Sequence, residues 1–181
     1  MRPLQPIGMG LLLILVHAGR FDFLPDPLGW LIILAGVSVL PETVERRSLL
    51  RGLAGLAGAV SIPLWWPDWA EALNDGDPSL WWAVNLPQLV FVLVLGLSLM
   101  STAKHAEDQS AARWWQLVAT LATLAAVLPV LVFGGGVAAL EVPTYVLGAV
   151  TLLTVIVLCF THAGRTWAVP EGTVTADPDA R

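Results

Sequence analysis

Two carboxylates, Asp22 and Asp26, stand four residues apart in a segment that reads Phe-Asp-Phe-Leu-Pro-Asp-Pro-Leu-Gly-Trp from Phe21 to Trp30. Arg20 immediately precedes it, His17 lies one helical turn earlier, and apolar runs flank it on both sides. A charge at the centre of a bilayer costs roughly 3 kcal/mol, so such groups pair with one another or face water. Two acids, a guanidinium and an imidazole beside hydrocarbon suit the capture of a small ligand, a cation or a proton. The same residues also have a structural use. Asp accepts backbone N–H bonds at a helix cap and Pro fits the first turn, so Asp26-Pro27 reads as a helix start. Arg20 and Asp22 would then pair across the turn. Capping gives Asp26 a task and leaves Asp22 without one.

Further polar residues lie inside apolar runs. Asn85 and Gln88 are three apart and share one helix face, with Pro87 between them. Together with His17, Arg20, Asp22 and Asp26 they make up the candidate polar site. Gln116, Thr120 and Thr123 follow a helical spacing, as do Thr144, Gly148, Thr151 and Thr154. Such stripes line a cavity or let helices approach and hydrogen-bond, and the second use is the commoner. Gly55 and Ala59 have the small-xxx-small spacing of a helix contact. Pro63, Pro87 and Pro129 fall in corresponding halves of their helices, where each removes a backbone donor.

Signatures of catalysis are missing. There is no Gly-x-Ser-x-Gly, no His-Glu-x-x-His, no phosphate-binding loop and no acid–base pair within a helix. Three histidines and one cysteine, Cys159, are too scattered for a zinc site. Asn74-Asp75-Gly76-Asp77 lacks the rest of a calcium loop. His-Ala-Gly-Arg occurs at His17–Arg20 and again at His162–Arg165, each time closing an apolar run. Glycine ends helices and basic groups complement their negative ends, which accounts for both copies. The expectation is a non-enzymatic protein without a cofactor or metal.

The elements that must position these residues follow from composition. At 56% hydrophobic and 13% charged residues, with a mean hydropathy of +0.74, the chain has about half the charge of a soluble domain. About 20 apolar residues cross a bilayer core. Four runs are long enough alone, at 49–66, 80–100, 114–133 and 142–162, and two shorter ones precede them. The sequence therefore predicts an all-α polytopic transmembrane bundle of about six helices, near 4–18, 24–40, 49–66, 80–100, 114–133 and 142–162. Residues 1–165 form this domain, and 166–181, rich in Pro, Gly, Asp and Thr, form a disordered cytoplasmic tail.

Charge orients the bundle. With the N-terminus inside, eight of the nine Lys and Arg residues fall on the cytoplasmic side and only Arg20 falls outside. Tryptophans gather at two depths, with Trp30, Trp65, Trp66, Trp69, Trp81 and Trp82 at the outer interface and Trp114, Trp115 and Trp167 at the inner one. Arg2, the run Ile7–Val16 and Val16-His17-Ala18 also have the three parts of a secretory signal. A polytopic protein seldom needs that cleavage, and the remaining topology is the same either way, so retention is expected. The net charge of −5 comes largely from loop and tail acids and implies no nucleic-acid partner. The expected partners are the lipid bilayer and either another membrane protein or a second copy.

The stretch Asp22-Phe23-Leu24-Pro25-Asp26-Pro27-Leu28-Gly29-Trp30-Leu31 resembles a family of uncharacterised small bacterial membrane proteins. In these an apolar helix leads through Asp-x-Leu-Pro-Asp-x-x-Gly-aromatic into a second helix. Trp30 stands where the aromatic is frequently Tyr, and the match covers about twenty residues. The resemblance implies a multi-pass α-helical protein and no particular activity. The leading expectation is an interaction or assembly component of the bacterial plasma membrane, with both termini cytoplasmic. The alternative is a transporter of a small solute or ion, with Asp22, Asp26, Asn85 and Gln88 around an outer cavity.

Overall fold

A computed structural model describes residues 2–15, 26–66, 75 and 78–170. Six α-helices, and no strand, occur among them. They are α1 (Leu4–Leu15), α2 (Asp26–Ser38), α3 (Arg47–Leu64), α4 (Pro78–His105), α5 (Gln109–Pro129) and α6 (Glu141–His162). A single π-helical turn, Val130–Gly134, extends α5, and a 3-10 turn, Thr166–Ala168, follows α6.

Three stretches are long and apolar enough to cross a membrane: Trp82–His105, Gln109–Gly134 and Ala138–His162. The sequence suggested four. The first turns of α3 carry Arg47 and Arg51, which shorten its apolar length. α1 and α2, with 12 and 13 residues, are apolar but short. At 28 residues α4 is about 42 Å long, well beyond the ~30 Å of hydrocarbon, so both ends reach the polar zones. Hydropathy outlines only the hydrocarbon-matched part of a helix. That is why α4 and α5 each gain five residues over the expected spans where they face each other, at 101–105 and 109–113.

Each helix packs on its chain neighbours, and α1 returns to α6, so the bundle forms a closed ring. Leu4, Ile7, Leu11, Ile33, Val37, Phe91, Leu95 and Leu99 fill its interior. The outside is apolar as well: Leu31, Leu56, Val142, Val146 and Val157 are all more than half exposed. A surface of this kind suits lipid, which solvates hydrocarbon and leaves no backbone group to satisfy on a helix.

Close approach between α1 and α2 depends on glycine. A Cβ on Gly10 would collide with the carbonyl of Gly29, and one on Gly29 would stand 2.8 Å from the carbonyl of Gly10. The Gly52–Gly55–Ala59 flank of α3 behaves differently. Among the described residues nothing lies within 4 Å of where a Cβ would stand on Gly52 or Gly55, so this flank makes no close helix contact with them. The threonine stripes also differ from expectation. Thr120, Thr123, Thr144, Thr151 and Thr154 each donate their hydroxyl to the carbonyl four residues earlier in their own helix, at 2.7–3.0 Å, rather than across to a neighbour. Gln116, Thr120 and Thr123 face outward.

Packed structure continues past residue 165, because Trp167 and Ala168 are buried. The tail from 171 onward lies outside the described residues.

Candidate functional site

His17, Arg20 and Asp22 lie outside the described residues, as do most of the hairpin turn and the longest loop. Asp26 opens α2, as its Asp-Pro sequence suggested, and is half-buried. One turn further on, Trp30 wedges between α3 and α4. Its Cβ lies 3.1 Å from where a Cβ of Gly58 would stand, and its ring meets Phe91 edge-on at 5.5 Å.

Asn85 and Gln88 do come together, in a cavity of about 240 Å³ between α4, α5 and α6. α4 lines it with Trp82, Asn85, Gln88 and Leu89. From α5 come Ala125 and Pro129, and from the π turn Val132 and Phe133. α6 contributes Glu141, Thr144, Tyr145, Gly148, Ala149 and Leu152. The i, i+3 spacing on α4 and the i, i+4 spacing of Thr144 and Gly148 on α6 turn both polar stripes toward the same space. Asp26 is not among the lining residues, so it stands apart from this cavity.

Local backbone features explain why there is space here. Pro129 has no N–H to give the carbonyl of Ala125 one turn before it, and the chain then widens into the π turn. Such single π turns inside or after α-helices are frequent at functional sites. On the other wall, Gly148 has no side chain, and nothing approaches within 4 Å of where its Cβ would be. The polar inventory is two side-chain amides, one carboxylate, two hydroxyls and one indole. Glu141 is exposed, and its side chain, like that of Gln88, makes no hydrogen bond or ion pair within the described residues. Thr144 donates to the carbonyl of Leu140 at 2.7 Å and keeps its lone pairs to accept. The arrangement can grip a small molecule by hydrogen bonds at one end and apolar contact at the other.

At the opposite end of the bundle a second polar cluster has a structural role. Ala106, Glu107 (φ 59°) and Asp108 form the whole connection between α4 and α5. The N–H of Asp108 donates to the carbonyl of Ala103 at 2.9 Å and that of Glu107 to Lys104 at 3.1 Å, the two bonds of a Schellman helix end. The carboxylate of Asp108 then caps α5 by accepting from the N–H of Ala111 at 3.1 Å. It also accepts from the indole of Trp167 at 3.2 Å and stands 3.5 Å from the Arg165 guanidinium. The Ala111 bond, followed by the Trp167 bond, holds its pKa below the ordinary carboxylate value of 3.8. Sequence reading missed this long-range cluster. The local signal was an Asp directly before Gln-Ser-Ala-Ala, a cap followed by good helix formers.

The bases gather at this same end. Arg2, Arg46, Arg47, Arg51, Lys104, Arg113 and Arg165 all sit at helix ends or connections here, and Arg2 lies against Gly164. Arg47 and Arg51 both donate to the carbonyl of Ser38, the last residue of α2, at 2.8 and 3.2 Å. Among the described residues, three or more His, Cys, Asp or Glu side chains nowhere gather as a metal site.

Compared with protein-family models, curated proteins and solved structures, the chain matches none of them.

Proposed function

We propose that the protein is a non-enzymatic, multi-pass component of the bacterial plasma membrane that binds a small solute in the α4–α5–α6 cavity, as a carrier or a receptor. One observation carries this reading: the amides of Asn85 and Gln88 share an open, mostly apolar cavity with Glu141 and Thr144. Polar side chains inside a bundle are expensive unless they pack or bind, and these line a space instead of filling it. Both termini are assigned to the cytoplasm because the described bases crowd the end away from the cavity, which makes the cavity outward-facing. Resemblance at Asp22–Leu31 and the excess of arginine over lysine support the bacterial assignment.

The reading is tested in lipid nanodiscs with a library of small solutes. Ligands that raise the thermal midpoint of the wild type should lose that effect in the Asn85→Val, Gln88→Leu double variant. Shifts that survive the double variant would place binding elsewhere. Orientation is tested by cysteines introduced at Lys104 and Val142: an impermeant maleimide outside intact cells should label only the second.

A second reading has its own observation. The open Gly52–Gly55–Ala59 flank of α3 lets another helix come close, so an assembly role, with a second copy or another membrane protein, would use that face. Native mass spectrometry of Gly55→Leu tests it: an assembly that persists unchanged speaks against this face.

A further inference from the structure

We infer that the ligand of the α4–α5–α6 cavity is a small amphipathic cation, an ammonium group carried on an apolar body. The inference rests on the reading of this cavity as a ligand site and names the chemistry that would fill it. Among the described lining residues, Glu141 is the only one charged at neutral pH, and no lysine, arginine or histidine accompanies it. Its charge is not cancelled by the helix ends around it. The start of α6 carries about +0.5 of an elementary charge, and the carbonyls closing α5 and its π turn carry about −0.5 at the same end of the bundle. These opposed partial charges leave the carboxylate in excess. The described bases lie at the far end of α6, about 30 Å away for its 22 residues, well beyond the ~8 Å over which charges act in physiological salt.

Uncharged groups in the cavity suit the same ligand. Trp82, Phe133 and Tyr145 supply aromatic rings, whose faces attract cations. The side-chain carbonyls of Asn85 and Gln88 and the hydroxyl of Thr144 can accept N–H bonds from an ammonium. Leu89, Val132 and Leu152 offer hydrocarbon to the rest of the molecule. An anion would meet Glu141 with no base among the described lining residues to oppose it. A sugar would leave most of its hydroxyls against hydrocarbon. At about 240 Å³ the cavity falls below the ~300–1,000 Å³ of drug-sized sites, which excludes an entire phospholipid. A free amine and the ethanolamine headgroup of a lipid both present the required ammonium.

The test uses the full chain in phosphatidylcholine nanodiscs and equilibrium dialysis against three probes of one size, with empty nanodiscs subtracted. The probes are phenethylamine, 2-phenylethanol and phenylacetate. Phenethylamine should bind about tenfold more tightly than the alcohol, with phenylacetate weakest. Glu141→Gln should weaken phenethylamine about tenfold and leave the alcohol unchanged. Gly148→Leu, which fills the cavity, should remove binding of both while the far-ultraviolet circular dichroism stays helical. Equal affinity for amine and alcohol, or an unchanged amine affinity in Glu141→Gln, overturns the cation inference while the ligand site stands. If no probe binds the wild type, or binding survives Gly148→Leu, the ligand-site reading itself falls. Repeating the titration with phosphatidylethanolamine in the nanodiscs separates the two sources: competition identifies the headgroup, and no competition identifies a free amine.

Discussion

Asp108 and Glu141 both stand at the start of a long helix, one at each end of the bundle, and their surroundings are opposite. Asp108 is fully engaged by a backbone N–H, an indole N–H and a guanidinium, and it ties the α4–α5 turn to the segment after α6. Glu141 makes no such bond within the described residues and borders a cavity. An acid at a helix start is favourable in either case, because it complements the helix dipole. Only the first is also held by distant parts of the chain. The difference separates a charge that builds the fold from a charge that the fold leaves available.

Substitutions at the two ends should therefore behave differently. The largest effect is expected at Trp115, which is fully buried at the Asp108 end and lies 5.8 Å from the His162 ring. Trp115→Ala should cost about 3–5 kcal/mol, read by unfolding in mixed micelles. Tyr145→Ala at the cavity end, where the ring is more than half exposed, should cost under about 1 kcal/mol. Similar losses at the two positions would erase the contrast.

Next in size is Asp108→Ala, which removes a cap and orphans the Trp167 indole. A loss of about 1–2 kcal/mol is expected. Arg165→Ala should cost no more than ~1 kcal/mol, because that pair is long and half exposed on the arginine side. A double-mutant cycle with a large coupling term would show that the ion pair, not the cap, holds the turn.

Acid titration sharpens the same point. The folded pKa of Asp108 is lowered, so its stabilisation is complete above the ordinary value of 3.8 and is lost as pH falls through the lower folded value. Asp108→Asn should flatten that acid limb of the stability curve. An identical limb in the variant would assign it to other carboxylates. The smallest effect belongs to Glu107, a non-glycine residue with left-handed backbone at a Schellman end. Glu107→Gly relieves that conformation and should stabilise by roughly 0.5–1 kcal/mol, measured as a rise in thermal midpoint. A loss would mean that the Glu107 side chain contributes more than its backbone costs.

Much of the scaffold was legible in the sequence, because long apolar runs and segregated arginines follow from the lipid environment alone. The spacing of Asn85 with Gln88, and of Thr144 with Gly148, correctly gave shared faces. That these faces meet was not legible, since it depends on how α4 and α6 rotate about α5. Glu141 carried no signal of its own, because sequence distance from Asn85 hides their common cavity. The Asp108 cluster was hidden for a related reason: Trp167 approaches from 59 residues away. The threonines misled in the other direction, because a hydroxyl on a membrane helix satisfies itself most cheaply on its own preceding turn. Of the hairpin acids that attract attention first, Asp26 is not among the residues that line this cavity, and Asp22 lies outside the described residues.

The most direct test pairs two readings on one variant, Glu141→Gln, in the same nanodiscs. The account predicts an unfolding free energy within about 0.5 kcal/mol of wild type and a phenethylamine affinity about tenfold weaker. A variant that loses stability while binding phenethylamine as tightly as wild type would make Glu141 a second Asp108, and would contradict the account.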